Sequence, residues 1–358
     1  MRRSTIAAVA AEAGVGVGTV SRVLNGSPSV SDDTRRRVLE AIATLDYQPS
    51  AAARALSTGR SHAVGVVAPF FTQPSVVERL RGMSRTLSEA RHQLILIDVE
   101  RPEQRREVFR SASVRGRYDA LLTVSLAPTE TEARRLEAVG VPLVLIDRAH
   151  ATLPSITIDD VAGGRLAAEH LLALGHREIA FLGDEAHDNV FGFDSGPHRR
   201  EGFAAALAAA GVALPAERIV LHCHGREPAR AAAAGLLAGE RPPTAVFATS
   251  DMQAIGVLEA AQAAGIRVPE DLSVIGFDDV EAATYVRLTT VAQPLRESGA
   301  LGAQLVLTRL AGEAVESVEL PLRVVQRGST AGPAGVGMTD VRGKCRPREG
   351  LNDSVGGL

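Results

Sequence analysis

Polar side chains suited to reading a nucleic acid are concentrated in the first sixty residues. Thr19, Ser21 and Arg22 follow one another in a short helical pattern, so their hydroxyls and guanidinium can reach phosphates or base edges. Arg22 is suited to a bidentate contact with guanine. Residues 1–60 contain eight arginines and five acids, whereas the rest of the chain contains 31 basic and 37 acidic side chains. A basic head on an acidic body is the charge asymmetry expected when only the head contacts DNA.

The apolar pattern of this head predicts three short helices that position those side chains. The first helix follows Thr5, which can cap it, and stops at Gly14, while the second runs near Val17–Leu24. Ser31, followed by two aspartates, is a strong N-cap for a third helix that continues through about Leu45. Two short helices joined by a tight glycine turn are typical of a helix-turn-helix, whose second helix enters the major groove. The pattern alone leaves open an ordinary helical hairpin packed on the body.

From His62 onward, strand-like runs alternate with stretches of helical period. This alternation predicts an α/β body with parallel, doubly wound sheets, and the number of units exceeds one sheet, which favours two similar lobes. Ligands bind such sheets at the carboxyl ends of their strands, so we expect a site in the cleft between the lobes. The strand-like runs are Val64–Ala68, Leu94–Val99, Ala120–Val124, Leu143–Asp147, Ile156–Ile158, Ile179–Leu182, Ile219–His222, Ala245–Ala248 and Leu272–Phe277.

Two patterns suggest other chemistry, and neither is complete. The glycines between Gly14 and Gly18 have the density of a phosphate-binding loop, but no strand precedes them and their spacing is wrong. His222-Cys223-His224 is a candidate metal site, yet neighbouring strand residues point to opposite faces and no fourth ligand is in register. No nucleophile and base stand together in a recognisable pattern. The sequence therefore predicts a protein that is not an enzyme and needs neither cofactor nor metal.

Composition and length place the chain among ordinary globular proteins. Of its 358 residues, 45% are hydrophobic and 23% charged, and no apolar run approaches the roughly 20 residues that span a bilayer. The N-terminus has no signal-peptide core, and two cysteines suit a reducing compartment. We expect a cytoplasmic protein without a membrane partner. A periplasmic sugar-binding protein is the competing class, because the body alone would suit it, but such a protein would need a signal peptide.

Taken together, the residues resemble the LacI/GalR family of repressors over about residues 5–328. The combination of motifs is far more specific for this family than any one motif. The head, the hinge and several parts of the body carry the resemblance. The matching segments are Thr5-Ile6, Val9-Ala10, Ala13-Gly14-Val15, Thr19–Gly26, Val30-Ser31, Thr34-Arg35, Tyr47-Gln48-Pro49, Ala53-Arg54-Ala55-Leu56, Glu169–Leu172, Leu174–Arg177, Val268–Asp279, Leu288–Val291 and Gln293-Pro294. The resemblance implies a helix-turn-helix head on a two-lobed body like that of periplasmic binding proteins.

The resemblance also implies which residues bind operator DNA. In the family the hinge leucine wedges into a minor-groove step, and Leu56 holds that position, although a linker residue packed on the body is the alternative. Two departures stand out: Gly16 replaces the usual serine, and Gly18 lies inside the recognition helix, which leaves few hydrogen-bonding groups there. The implied DNA-binding residues are Thr5, Val17, Gly18, Thr19, Ser21, Arg22, Asn25, Ser31, Arg54 and Leu56.

A second set of residues is implied to bind a small effector. Ionised groups of both signs favour a hydroxyl-rich neutral ligand, hence a carbohydrate, with a purine or nucleoside as the alternative. Asp160 departs from the family's asparagine, and the stretch around Gln73-Pro74-Ser75-Val76 lacks the aromatic platforms of many members, although Phe191 and Phe193 could supply stacking. Simpler roles remain open, namely a solvated face for Arg199 and helix caps for Asp159 and Asp278. The implied effector-binding residues are Ser75, Asp159, Phe193, Arg199, His224, Asp251 and Asp278.

These observations predict a homodimeric transcriptional regulator, and we expect a repressor released by its effector. The expected division is a DNA-binding head over residues 1–46, a hinge over 47–61, an effector-binding and dimerisation body over 62–328, and a disordered tail over 329–358. The tail has no leucine heptad, so a coiled-coil tetramer has no support. The effector, the operator sequence and the choice between inducer and corepressor stay open.

Overall fold

A computed structural model describes residues 4–24, 26–47, 61–112, 117–185 and 190–333. The chain divides into two compact units, and it passes between them more than once. The first unit contains the described residues up to Asp159, residues 190–193 and Gln293–Pro321. The second contains residues 160–185, Asp194–Ala292 and the described residues from Leu322 onward.

The head forms three helices, α1 (Ile6–Glu12), α2 (Val17–Leu24) and α3 (Asp32–Thr44). After α1, Gly14 adopts a φ of +63°, and the amide of Val15 donates to the carbonyl of Ala10 at 2.9 Å. This arrangement is a Schellman-type C-cap, which ends the helix and turns the chain into α2. The axes of α1 and α2 differ by 104°, within the about 90–120° of helix-turn-helix pairs. The predicted motif is therefore confirmed in its geometry.

The head has a hydrophobic core of its own. Val9, Val20 and Val38, one from each helix, are fully buried in it. Tyr47 belongs to the same core although the sequence assigned it to the hinge, because its ring is 9% exposed and packs with those valines. The head thus extends one residue further than predicted.

The body of the first unit is built on a parallel six-stranded sheet. Its strands are β1 (Ala63–Pro69), β2 (Gln93–Val99), β3 (Ala120–Val124), β4 (Leu143–Ile146), β5 (Ser155–Thr157) and β11 (Val318–Glu319), in the spatial order β11–β5–β4–β3–β1–β2. The helices of this unit are α4 (Pro74–Glu89), α5 (Pro102–Ala112), α6 (Glu130–Ala138) and α12 (Leu295–Leu310). Apolar side chains of β1, β3, α4 and α12 form the core on one face of the sheet.

The second unit repeats this plan. Its strands are β6 (Ile179–Asp184), β7 (Ile219–His222), β8 (Ala245–Ala248), β9 (Ser273–Asp278), β10 (Thr289–Ala292) and β12 (Arg323–Val325), in the order β12–β10–β9–β8–β6–β7. The helices are α7 (Asp160–Ala173), α8 (Ser195–Ala209), α9 (Arg226–Leu237), α10 (Asp251–Ala263) and α11 (Glu281–Tyr285), with a 3₁₀ turn over Ala216–Arg218. Among the described strands, β12 alone runs antiparallel, so the predicted parallel, doubly wound sheets in two similar lobes are confirmed.

Three strands and a second boundary also differ from the sequence prediction. Strands β10, β11 and β12 were not expected, because they contain two to four residues and carry no apolar alternation long enough to register. The predicted tail begins too early at residue 329. Ser329 is 2% exposed, and its carbonyl accepts a hydrogen bond from the amide of Val274 in β9 at 2.7 Å. Residues 334–358 lie outside the described part of the chain.

Within the described residues, no single helix is both long and apolar enough to cross a membrane. Helices α1 and α2 taken together have the length and composition of a membrane span, but the chain bends by 104° between them.

Candidate DNA-reading surface and ligand site

The exposed face of α2 carries the side chains predicted to read bases. Val20 and Val23 point into the head core, whereas Val17, at 46% exposure, Gly18 and Arg22 face outward. A Cβ atom built on Gly18 would lie 3.9 Å from Nη2 of Arg22, so the guanidinium extends back along the helix toward the glycine. The surface offered to DNA is therefore an isopropyl group, bare backbone and one guanidinium.

The remaining head residues of the predicted set have mixed positions. Thr19 and Ser21 are half-buried at the sides of α2. Thr5 and Ser31 are exposed and cap α1 and α3, where their hydroxyl oxygens accept from the amides of Ala8 at 3.2 Å and Thr34 at 3.4 Å. Each cap lies at a helix N-terminus, where anions such as phosphate are stabilised. The other three, Asn25, Arg54 and Leu56, lie outside the described residues.

A polar site occupies the carboxyl edge of the second unit's sheet. Strand order reverses between β6 and β8, and such a switch point is where open α/β sheets bind ligands. Five charged or titratable side chains gather at this edge, and they are called the Arg199 cluster below. Its members are Asp160, Asp184, Arg199, His224 and Asp278.

Arg199 is the centre of the cluster and is not a solvated surface residue. It is 8% exposed; its Nε donates to Asp160 Oδ1 at 2.8 Å and its Nη1 to the carbonyl of Thr249 at 2.7 Å. The guanidinium carbon lies 3.6 Å from the centre of the Phe277 ring, and Nη1 is 3.9 Å from Asp278 Oδ1. A planar cation held by a carboxylate, a carbonyl and an aromatic face is fixed in one orientation.

Asp278 ends β9 with a φ of +117°, a conformation that L-residues rarely adopt. The helix-cap alternative for this residue does not hold, because α11 begins after Val280 and has no side-chain cap. Its neighbour Asp279 is turned to Arg327, which donates to it at 2.6 Å. The backbone thus directs the Asp278 carboxylate to the Arg199 cluster and the Asp279 carboxylate away from it. Strained backbone of this kind is typical of functional sites.

Asp251 has a different role from the predicted one. It is fully buried at the start of α10, where its two carboxylate oxygens accept from Thr290 Oγ1 at 2.6 Å and from the amide of Val280 at 2.8 Å. Burial, followed by the negative charge of Asp278, raises the pKa of Asp251 well above its ordinary value. Asp251 therefore supports the backbone beside the cluster and has no surface available to a ligand.

His224 is joined to a pair of residues that the sequence analysis missed. Its Nδ1 lies 3.1 Å from both carboxylate oxygens of Asp184, and buried Gln253 donates to Asp184 Oδ1 at 2.6 Å. Burial lowers the pKa of His224, but the hydrogen bond and charge of Asp184 outweigh it and raise the pKa overall. Asp184 ends β6 at the switch point, so the rule that ligands bind at strand ends would have found it. Gln253 carries no such signal.

The remaining predicted effector residues belong to the first unit. Asp159 is exposed directly before α7, and Ser75 lies half-buried in the first turn of α4, where its carbonyl accepts from Arg79 Nη1 at 3.3 Å. Phe193 packs on Phe191 with ring centres 5.8 Å apart. Of the seven predicted residues, Arg199, His224 and Asp278 lie together in the Arg199 cluster of the second unit, with Asp251 behind them.

The first unit contains an exposed aromatic surface that includes two phenylalanines not singled out from the sequence. Phe70 and Phe71 follow β1 directly and are each 38% exposed. Phe70 meets Phe191 edge to face, with ring centres 5.8 Å apart, and Phe191 in turn contacts Phe193. The stretch Gln73–Val76 itself has no aromatic side chain, as the sequence showed; the aromatic pair lies immediately before it and contacts the Phe191 segment.

The same edge of the first unit carries another unpredicted polar group. Arg79 on α4 is 2% exposed and donates to Asp147 Oδ1 at 2.7 Å, and Ser125 donates to Asp147 Oδ2 at 3.0 Å. Ser125 and Asp147 follow β3 and β4, and both have positive φ. These residues fix the carboxyl ends of two adjacent strands.

The metal alternative gains no support from the geometry. Nδ1 of His222 lies 2.6 Å from the carbonyl oxygen of Cys223, and His224 is directed to Asp184. Across the described ranges, no three His, Cys, Asp or Glu residues are grouped so that they could hold a metal ion.

The chain is similar to known proteins over about nine-tenths of its length. Two family models match, one described as bacterial regulatory proteins of the lacI family over residues 5–50, the other as a periplasmic binding protein-like domain over residues 168–330. Catabolite control protein A of Priestia megaterium is 33% identical over 332 residues, which are 91% of this chain and 99% of that protein.

Two solved structures are similar to this chain in both sequence and fold. The lac repressor dimer bound to operator and the anti-inducer ONPF is 28% identical with a TM-score of 0.79, covering 92% of this chain and 100% of the other. The complex of the transcriptional regulator CelR with cellobiose is 31% identical with a TM-score of 0.66, covering 91% and 100%.

Proposed function

Since the chain belongs to the lacI family of bacterial regulatory proteins, we propose that it is a transcriptional repressor whose affinity for operator DNA is controlled by a small effector. The head of residues 1–47 binds the operator, residues 48–61 form the hinge, and the body, from residue 62 to at least residue 331, binds the effector and the second subunit of a homodimer. Such a protein works in the cytoplasm, where its operator is.

One observation carries this proposal, namely the outward face of α2. Arg22, Val17 and Gly18 are exposed on a helix whose opposite face packs in the hydrophobic core of the head. Arg22 supplies the fork of donors that recognises guanine, and Val17 supplies an apolar contact for a thymine methyl group. The absence of a side chain at Gly18 lets the helix approach the groove closely, so DNA shape contributes more to the choice of operator than in a reader with many polar groups.

A gel shift with fragments of the native promoter, at moderate salt, tests the DNA-binding function. The full-length protein should bind one fragment specifically, and Arg22→Ala should weaken that complex by about 1–3 kcal/mol because it removes a bidentate base contact. Arg36→Ala is the matched control: it removes the same charge from α3, where Asp33 already holds the guanidinium. The control should weaken all fragments slightly and equally.

Failure of the wild type to select any fragment would refute the repressor function and favour the solute-binding alternative. Equal losses for the Arg22 and Arg36 variants would refute the assignment of α2 as the reading helix.

The effector is a carbohydrate-like molecule that binds the Arg199 cluster. This assignment is supported by charged groups of both signs, which bind hydroxyls strongly, and by the similarity to CelR, which is complexed with cellobiose. A nucleoside is the second candidate, because the exposed Phe70 ring, backed by Phe191, offers a surface for stacking. Thermal-shift screening of sugars, polyols and nucleosides separates the two. The sign of regulation is tested by adding each hit to the gel shift, since an inducer releases DNA and a corepressor tightens it.

A further inference from the structure

The Arg199 cluster contains more carboxylates than cations. Asp160, Asp184 and Asp278 face Arg199 and His224, and the nearby Asp279 is neutralised separately by Arg327 at 2.6 Å. Even with His224 protonated, three negative charges meet two positive ones. With His224 neutral, the ratio is three to one.

The positive charge of Arg199 is already balanced within the protein. Its Nε–Asp160 bond of 2.8 Å and its Nη1–Asp278 separation of 3.9 Å surround the guanidinium with two carboxylates, and the Phe277 ring covers one face. Asp160 and Asp278 are only 18% and 12% exposed, so water screens this pairing weakly. An arginine so placed is a poor anion receptor, because an incoming anion would also approach both carboxylates.

Asp184 places a negative charge at the more exposed side of the cluster. Buried Gln253 holds one carboxylate oxygen at 2.6 Å, and the side chain remains 36% exposed. Gln253 is itself held, because its side-chain oxygen accepts from Thr249 Oγ1 at 2.7 Å. The carboxylate is thus fixed in position. It binds an ammonium group more tightly than a mobile carboxylate would, because less conformational freedom is lost on binding.

From these contacts we propose that the effector is a polyhydroxy compound without negative charge, and that a basic nitrogen on it increases its affinity. Asp160 is the residue that sets this charge preference, because it supplies the carboxylate bonded directly to Arg199. The inference rests on the proposed function, since it concerns the charge of the effector at the same site.

The test compares ligands that share a skeleton and differ in charge. The probes are glucose, galactose, mannose and cellobiose, the amino sugars glucosamine, galactosamine and mannosamine, and the matching uronates and hexose 6-phosphates. Thermal shift identifies the skeleton that binds, and calorimetry on full-length protein then measures its charge variants. We expect the amino or neutral form to bind at least about tenfold more tightly than the anionic form, the equivalent of one modest charge interaction.

Asp160→Asn supplies the decisive variant. Asparagine has the same shape and can still accept from Arg199 Nε, but it removes one negative charge, so the ratio of amino to anionic affinity should fall about tenfold or more. The matched control is Asp271→Asn, which removes an equal charge from the opposite end of β9, where Asp271 pairs with Arg267. The control should leave the ratio unchanged.

Three outcomes would overturn the inference: tightest binding by a uronate or phosphate, no binding by any neutral or amino probe, or equal ratios in wild type and Asp160→Asn. Operator binding in the gel shift is measured on the same samples. If it is intact, only the charge preference is refuted, whereas its loss in the wild type refutes the proposed function.

Discussion

Two glycines in the head have opposite conformational demands. Gly14 adopts a φ of +63° at the C-cap of α1, a conformation that costs other residues about 1 kcal/mol or more. Gly18 lies inside α2 with ordinary helical geometry, where glycine is about 1 kcal/mol less favourable than alanine. Its hypothetical Cβ meets only Arg22 Nη2, at an ordinary contact distance of 3.9 Å.

Alanine substitutions should therefore have opposite effects at the two positions. Gly14→Ala should destabilise the helix-turn-helix and Gly18→Ala should stabilise it, each by about 1 kcal/mol. Hydrogen exchange of peptides covering residues 5–24 in the full-length protein measures both, as roughly fivefold faster and slower exchange respectively. The same sign for both variants would contradict the helical cap and interior positions.

Adjacent aspartates at the end of β9 also divide their roles. Asp278 lies 3.9 Å from Arg199, whereas Asp279 is bound to Arg327. Asp278→Asn should weaken effector binding by about 1.5–3 kcal/mol, the range of a charged hydrogen bond, without changing operator affinity in the absence of effector.

Asp279→Asn is its neighbouring control and should leave the effector affinity nearly intact. Calorimetry with the tightest screening hit measures the first quantity, and a gel shift the second. A larger loss for Asp279 than for Asp278 would exclude Asp278 from the effector site.

At the scale of elements, the segment over residues 329–331 is held to the second sheet by side chains. His176 is 1% exposed, with Nε2 at 2.8 Å from the carbonyl oxygen of Ala331 and Nδ1 at 2.9 Å from Thr244 Oγ1. Ser329 receives the amide of Thr289 at 2.8 Å and donates to the carbonyl of Val274 at 2.6 Å. These bonds connect the end of the described chain to β9 and β10.

This attachment should weaken in acid. Burial lowers the pKa of His176 below its ordinary 6.5, despite the opposing bond to Ala331, so the unfolded state binds a proton more readily. The stability that His176 contributes is complete above pH 6.5 and is lost as pH falls from 6.5 through the lowered value. The melting temperature of the wild type should therefore fall over this window by more than that of His176→Gln, which cannot titrate.

The same variant should also be less stable than the wild type at pH 7.5, by about 1–3 kcal/mol, because a buried hydrogen bond is impaired. Thermal unfolding at several pH values measures both quantities. Parallel pH profiles for the two proteins would show that His176 does not titrate with unfolding.

At the scale of the whole molecule, a proposed two-fold dimer has consequences for the operator. Two heads related by a dyad read a pseudo-palindrome whose half-sites are about 10 base pairs apart, centre to centre. Sedimentation should find a dimer at micromolar concentration, and footprinting should find two protected half-sites on one fragment. Arg22→Ala should keep the dimer and lose the footprint. A monomer that binds a single half-site with full affinity would contradict this organisation.

Most of the helices and strands could be predicted from patterns of residues close together in the sequence. Helix α2 has the predicted bounds, and Thr5 and Ser31 are the predicted caps, because apolar period and capping chemistry act within a few residues. The nine predicted strands are all present, since buried parallel strands read as continuous apolar runs. Short strands such as β11 escaped prediction, because their two residues pair only after the rest of the sheet has formed.

The sequence by itself determined the head, the two-sheet body and the list of polar candidates, because local pattern and motif spacing suffice for these. Only the tertiary structure decided which candidates act together. Whether Asp251 is a ligand or a buried support depends on its exposure, and exposure is set by α11 and β10 packing over it. The partners of Arg199 and His224, Asp160 and Asp184, are 39 and 40 residues away in the chain, and only the switch point of the sheet brings them together.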